Sequence, residues 1–373
     1  MTSLTMESIL QSVAQAKARG EQIFDFSLSN PNLGIRAEMK ALLCDVINQE
    51  DDAMFGYAPS QGYCETRSAI AKHIQVHSTR ERTAEDITIV PGAAGGLCVL
   101  MKALLEPGEE VIGVKPYFPS YVHYIEHANG HYIPVDCDPT FELDVDAIMR
   151  AITPLTKVIL LNSPNNPSGR IYSAEKLQVL SNRLLDLREK EGRFIHVVSD
   201  EAYERVTYNG KLPPTIADYY PNCLRVVSFS KDLGFAGLRV GYIESTPQYR
   251  EVKLQVRLGE LIRNLGYVNT STILQKALVK GLNLTVPMAT YKEQCDVLKQ
   301  VLDDADIPFV EPEGGLFLFA KAPNGDTNQF IGQLLNQGIV VVPGAMYGMS
   351  EYFRISTTVD IETIRASASA WKV

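Results

Sequence analysis

Val226-Val227-Ser228-Phe229-Ser230-Lys231 ends an apolar run in two hydroxyls and a lysine, and Gly234, Gly237, Arg239 and Gly241 follow within ten residues. The run over 225–229 has the composition of a strand covered on both faces. A single lysine at a strand end is ordinarily a solvated surface residue. Here small residues crowd around Lys231, which suits a pocket better than an exposed loop. A lysine amine condenses with an aldehyde to a Schiff base, and desolvation or a nearby cation favours its neutral, nucleophilic form. Arg239 can supply that cation while its planar fork grips a phosphate.

Upstream, further short apolar runs lie at 86–90, 110–114, 131–135, 158–161 and 194–198, and one more follows at 238–243. Helical segments such as 97–105 and 174–189 separate many of them. Strands alternating with helices predict an α/β fold, a large domain over 41–270 with a mainly parallel central sheet flanked by helices. After residue 270 the texture changes. A helical stretch at 271–305, broken near Pro287, leads to a strand at 315–320, a helix at 328–337, strands at 339–342 and 353–356, and a closing helix from Asp360. With residues 1–40 this reads as a smaller α+β domain built from the two chain ends, 1–40 and 271–373. A length of 373 residues suits two domains at roughly 150 residues each.

Three more strand ends carry chemistry. Pro91-Gly92-Ala93-Ala94-Gly95-Gly96 places small residues between a strand and a helix, where backbone amides can approach an anion. It is not a GxGxxG dinucleotide fingerprint, and many such turns are glycine-rich for packing alone. Asn162-Ser163-Pro164-Asn165-Asn166-Pro167-Ser168-Gly169 fixes Asn166 among prolines at the carboxyl end of a strand, where ligands of parallel sheets bind; turn chemistry also explains it. Ser199-Asp200-Glu201-Ala202-Tyr203 delivers a carboxylate that can hold a ring nitrogen protonated or cap a helix.

In this order the segments resemble the class I/II aminotransferases, the aspartate-aminotransferase-like enzymes of fold type I that use pyridoxal 5'-phosphate (PLP). The resemblance covers essentially the whole chain. It rests on Tyr57-Ala58-Pro59-x-x-Gly62, Pro116-Tyr117-Phe118-x-x-Tyr121, Asn165-Asn166-Pro167-Ser168-Gly169, Asp200-Glu201-Ala202-Tyr203, Ser228-x-Ser230-Lys231, Gly237-x-Arg239-x-Gly241, Val342-Pro343-Gly344 and Phe353-Arg354-Ile355-Ser356. It implies that Lys231 forms the Schiff base and shuttles a proton, that Asp200 pairs with the pyridinium nitrogen, and that Tyr203 and Asn166 bond the ring's phenolic oxygen. Phe118 would stack on the ring. Ala93, Ala94, Ser228, Arg239 and Tyr57 would hold the phosphate, with Tyr57 supplied across a homodimer interface. Arg354 would pair with the substrate α-carboxylate, beside Asn166 and Ser29.

Two departures stand out. Many relatives carry Gly-x-Pro-Asp in the N-terminal substrate loop, whereas this chain has Ser29 at the Gly position of Ser27-Leu28-Ser29-Asn30-Pro31-Asn32. Ala93 and Ala94 lack the hydroxyls that some relatives place at the phosphate. The function expected is transfer of an amino group between an L-amino acid and a 2-oxo acid. Ser29 keeps a second reading open, elimination, replacement or cyclisation of an amino acid, as in enzymes resembling arginine-derived cyclases of natural-product pathways. A non-catalytic effector domain fits poorly, since Lys231, Asp200, Asn166, Tyr203, Arg239 and Arg354 exceed what binding alone requires.

The bulk numbers exclude other classes. A formal net charge of −9 argues against nucleic-acid and anionic-membrane partners. No run reaches the roughly 18 apolar residues of a membrane span, and the first 20 residues show no basic-then-apolar signal pattern. The six cysteines form no CxxC pair, which fits reduced thiols in a cytoplasmic protein. His123-Tyr124-Ile125-Glu126-His127 spells H-x-x-E-H, yet no third ligand stands out among His73, His77, His131 and His196, so no metal is expected.

Overall fold

A computed structural model describes residues 6–49, 52–76, 78, 80–250, 253–323 and 325–373; residues 1–5 and His77, weighed above, lie outside the described residues. The chain builds a seven-stranded sheet. From one edge its strands are Ile87–Val90, Gly241–Ser245, Cys223–Ser228, His196–Asp200, Thr156–Asn162, Glu110–Val114 and His131–Val135. All neighbours are parallel except Gly241–Ser245, which runs antiparallel to both of its partners. The Val/Ile/Leu runs are continuous because both faces are covered, as parallel sheets require. Helices Gly92–Leu104 and Leu254–Asn264 cover one face through Leu97, Leu100, Leu258 and Ile262, which pack on Val158, Val198 and Val226. Helices Val145–Ala151 and Ala174–Glu191 cover the other through Ile148, Leu177 and Leu180, which pack on Ile112, Ile159 and Val197.

Two expected boundaries move, for a shared reason. The helix expected from 97 starts at Gly92, and the strand expected at 238–243 runs Gly241–Ser245. Between them, Ala236–Leu238 forms a tight turn and Arg239 takes φ +55°, which folds its side chain back to donate to the Ala236 carbonyl and to that of Pro91. Gly92 has φ +73°, and a Cβ there would lie 2.5 Å from Arg239 Nη2. Only glycine tolerates both the backbone angle and the approach.

A second, four-stranded antiparallel sheet follows, ordered Val342–Pro343, Tyr352–Ser356, Phe317–Lys321 and Phe309–Val310. Phe24–Asp25 pairs in parallel with Ile339–Val340, and Ile9, Val13, Phe24 and Phe26 pack on Leu298, Leu318, Ile355 and Trp371. The two chain ends thus share one core. Helix Thr272–Gly281 instead packs through Leu274 and Leu278 on Met39, Ile70, Ile87 and Ile89, beside the large sheet. Among the described residues no helix is long and apolar enough to cross a membrane.

Candidate active site

Three adjacent strands of the large sheet end side by side at Asn162, Asp200 and Ser228. Carboxyl ends of parallel strands are where open α/β sheets bind ligands. A cavity of about 200 Å³ opens there, lined by Ser29, Ala93, Ala94, Phe118, Tyr121, Asn162, Asn166, Asp200, Tyr203, Ser228, Ser230, Lys231 and Arg239. Residues picked from the sequence therefore converge from six separate segments.

Lys231 is mostly buried, and its Nζ donates to the Ser29 carbonyl at 3.0 Å. Burial, then the nearby Arg239 and Arg354 charges, bring its amine down to about 8. A lysine so placed spends a useful fraction of its time neutral near physiological pH. The departure at Ser29 resolves locally, because its backbone oxygen, rather than its hydroxyl, meets Lys231.

Asp200 accepts a hydrogen bond from Tyr121 Oη at 2.6 Å and another from the Ala202 amide at 3.2 Å. Burial pushes its carboxyl up to about 6 against the opposing pull of those two donors. A protonated ring nitrogen would supply the opposite charge that this carboxyl lacks. Tyr121→Phe removes the donor that favours the carboxylate, so the Asp200 pKa rises. The acidic limb of the pH–activity profile is expected to move upward by about one pH unit, since a hydrogen bond to a charged group contributes roughly 1.5–3 kcal/mol. A profile superimposable on wild type would remove Tyr121 from this role.

The phosphate end is legible in what the backbone leaves unpaired. Pro91, ahead of helix Gly92–Leu104, offers no side-chain cap, so the amides of Ala93 and Ala94 face the cavity without an internal partner. Ser228 Oγ donates to Ser230 Oγ at 2.7 Å, and Arg239 flanks the pair. An anion fits this cradle. Phe118 lines the cavity and meets Tyr121 at a steep interplanar angle of 79°, with ring centroids 5.5 Å apart.

Arg354 stands behind Asn166. Its guanidinium donates to Asn166 Oδ1 at 3.3 Å and to the Ser27 carbonyl at 2.9 Å, while its Nε is buried without a partner. Phe317 and Tyr347 hold it at 4.2 and 5.3 Å from their ring centroids. No ion pair with a carboxylate is formed by Arg354 among the described residues, and burial lowers its pKa. A buried, uncompensated guanidinium with a free donor suits a carboxylate ligand.

Of the expected site residues, Arg354 does not line the cavity but sits behind Asn166, and Tyr57 is farther from the expectation. It is 89% exposed and lies outside the cavity of its own chain. The reading of the residues also left Tyr121, Asn162 and Ser230 without roles. Asn162 orders the floor, donating to the Asp200 carbonyl and accepting from the Asn166 amide at 2.7 Å. Tyr121 follows Phe118 by three residues, a spacing that sets both on one side of a helical turn and could have signalled it. His123 and Glu126 of the H-x-x-E-H segment form a 3.4 Å pair on an exposed helix face.

Residues 22–370 match the family model for aminotransferase class I and II. This chain belongs to that family. As in other class I and II aminotransferases, its cofactor is pyridoxal 5'-phosphate, and the uncapped amides, Arg239, Asp200 and Lys231 fit that group's phosphate, ring nitrogen and aldehyde. The aminotransferase resembles an aspartate aminotransferase of Thermotoga maritima at 26% identity, covering 98% of this chain and 95% of that one. It is 30% identical to an aspartate/prephenate aminotransferase of Thermus thermophilus over 83% of this chain and 80% of the other. Among solved structures, an aminotransferase from Eubacterium rectale superposes with a TM-score of 0.94 at 30% identity, covering 100% of this chain and 95% of that one.

Proposed function

We propose that Lys231 anchors the cofactor covalently and that the site moves the α-amino group of an L-amino acid to a 2-oxo acid. The observation that carries the reading is the convergence of a depressed lysine amine, a buried carboxyl and an uncapped helix start on one cavity. Bound pyridoxal phosphate supplies the electron sink that stabilises negative charge at the substrate Cα. Lys231 takes the proton from that Cα and returns it on the other side of the exchange. Asp200, steadied by Tyr121, keeps the ring nitrogen protonated. Asn166 and Tyr203 donate to the phenolic oxygen, and Phe118 packs on the ring. Ala93, Ala94, Ser228 and Arg239 hold the phosphate. Arg354 grips the α-carboxylate, with Ser29 closing the wall near Lys231.

Arg354→Lys keeps the charge but loses the two parallel donors. An apparent KM for amino acid about 10- to 100-fold higher is expected, with a smaller change in kcat. Unchanged KM would take Arg354 out of the carboxylate role.

The same proposal makes the enzyme a homodimer in which Tyr57 reaches the phosphate of the neighbouring subunit. Its support is the exposure of Tyr57 next to Phe55, both exposed apolar side chains. A monomer that keeps full activity on dilution would defeat it. The division into a cofactor-bearing body at 41–270 and a smaller body from 1–40 and 271–373 belongs to this reading, although helix Thr272–Gly281 packs with the larger body. A cytoplasmic location is proposed from the six unpaired cysteines.

Relatives over nearly the whole chain carry aminotransferase names, which favours transamination over elimination or cyclisation. A spectral titration of the holoenzyme with a panel of amino acids, aspartate and arginine included, tests this. Loss of the cofactor's visible band, restored by a 2-oxo acid, is expected. Product formation by elimination or ring closure without that cycle would overturn it.

A further inference from the structure

A larger cavity, about 510 Å³, lies apart from the cofactor cavity and shares no lining residue with it. Its floor is the sheet face carrying Arg225, Tyr242 and Glu244; the register sets Arg225 opposite Glu244 on strands Cys223–Ser228 and Gly241–Ser245, and Tyr242 lies two residues before Glu244 on the same face. The 210–215 loop, with Leu212, Pro213 and Pro214, forms an apolar wall.

The floor is a buried ionic network with an imbalance. Arg225 is shared by Glu201, Glu204 and Glu244, and Arg82 also binds Glu244. Arg205 is taken by Asp232 at 2.9 Å and by the Leu282 carbonyl. Three guanidiniums therefore serve four carboxyl groups. At the rim, Arg80 lies on Asp218, donating to its carbonyl, so that pair does not redress the balance. Glu204 is the carboxyl that faces the cavity with a single ion pair, to Arg225, and burial pushes it up to about 7 against the pull of Arg225 and Arg205.

A second observation points outward from the network. Tyr242 is 2% exposed and lines the cavity, yet its hydroxyl makes no hydrogen bond among the described residues. That hydroxyl is not sealed in packed protein but opens onto the cavity, where a water or a ligand can reach it. The hydroxyl oxygen and the Glu204 carboxyl together offer two acceptors to a group that brings N–H donors and the missing positive charge.

We propose that this cavity is a second ligand site, and that it takes a small organic cation, an alkylamine or alkylguanidine, whose head bonds Glu204 and Tyr242 and whose tail packs on Leu212 and the two prolines. The site is distinct from the cofactor cavity, so the proposal stands or falls independently of the roles given to Lys231 and Asp200.

Ethylguanidinium is the probe of choice, because a guanidine does not condense with the cofactor aldehyde as an amine would. Its binding to the holoenzyme can be followed by calorimetry, with uncharged N-ethylurea as the isostere. Saturable one-site binding of ethylguanidinium is expected, and none of ethylurea. Tyr242→Phe removes only an unpartnered hydroxyl, so it should fold and melt as wild type does while binding about three- to tenfold more weakly. Glu204→Gln should weaken binding by more than about tenfold. Equal affinity across wild type and both variants, binding of ethylurea as tight as that of the cation, or no saturable binding by wild type would each overturn the proposal. If Glu204→Gln fails to fold, the Tyr242→Phe comparison decides alone.

Discussion

Lys231→Ala is expected to abolish turnover and leave the protein without a covalently bound visible chromophore. The side chain is asked to do two things, to bond the cofactor aldehyde and to carry a proton at the substrate Cα. Its environment serves both. Burial together with Arg239 and Arg354 holds the amine at about 8, so an appreciable fraction is neutral at physiological pH. The Ser29 carbonyl at 3.0 Å fixes its direction. Positioned general acid–base groups contribute about 10²- to 10⁴-fold on their own, so a loss of at least about 10³-fold in kcat is expected once the covalent role is removed as well. The check is paired: an absorbance spectrum before and after borohydride treatment, and a steady-state assay. Retained absorbance with retained turnover would place the anchoring lysine elsewhere. A linked expectation concerns the apoenzyme, whose rate of cofactor capture should rise with pH and level off near 8 rather than near the ordinary lysine range.

Asp200→Asn should cost about 10²- to 10³-fold in kcat, the size typical of removing one preorganised electrostatic partner from a dry site. Asparagine preserves shape and keeps one oxygen to accept from Tyr121 or from the Ala202 amide, its NH2 replacing the other acceptor. It lacks the charge that holds a ring nitrogen protonated. The variant should therefore bind cofactor and keep its melting temperature, which separates an electrostatic role from a structural one. Because the carboxyl is raised by burial to about 6, wild-type activity should fall as pH drops through that region, and the Asn variant should lose this dependence. A variant with wild-type kcat and an unchanged acidic limb would remove Asp200 from the ring nitrogen.

Much of this architecture was legible in the residues because the site is built at strand ends. Lys231, Asp200 and Asn166 each close or follow an apolar run, and the runs themselves announce a covered sheet. The contacts that tune them were not legible. Tyr121 reaches Asp200 across 79 residues, and Arg354 reaches Asn166 across 188. No local pattern encodes such pairs; only the crossing order of the strands brings them together. Arg225 illustrates the opposite failure. It sits inside an apolar strand, where a charge looks like a boundary, yet it is buried among Glu201, Glu204 and Glu244. Tyr57 was found by its motif but lies outside the cavity of its own chain, and only the proposed homodimer would bring it to a phosphate, that of the neighbouring subunit.

The register of three neighbouring strands has a kinetic corollary. Asn162 faces Asp200 across one ladder, and Asp200 faces Val226 across the next. Side chains alternate along a strand, so a one-residue slip would turn Asp200 away and present Ser199 in its place. A cavity made this way has no half-assembled form that still recognises the cofactor. During refolding, capture of the chromophore should lag behind the recovery of helical signal and coincide with the final locking of the sheet. The cofactor's own colour then serves as a stopwatch for native strand alignment.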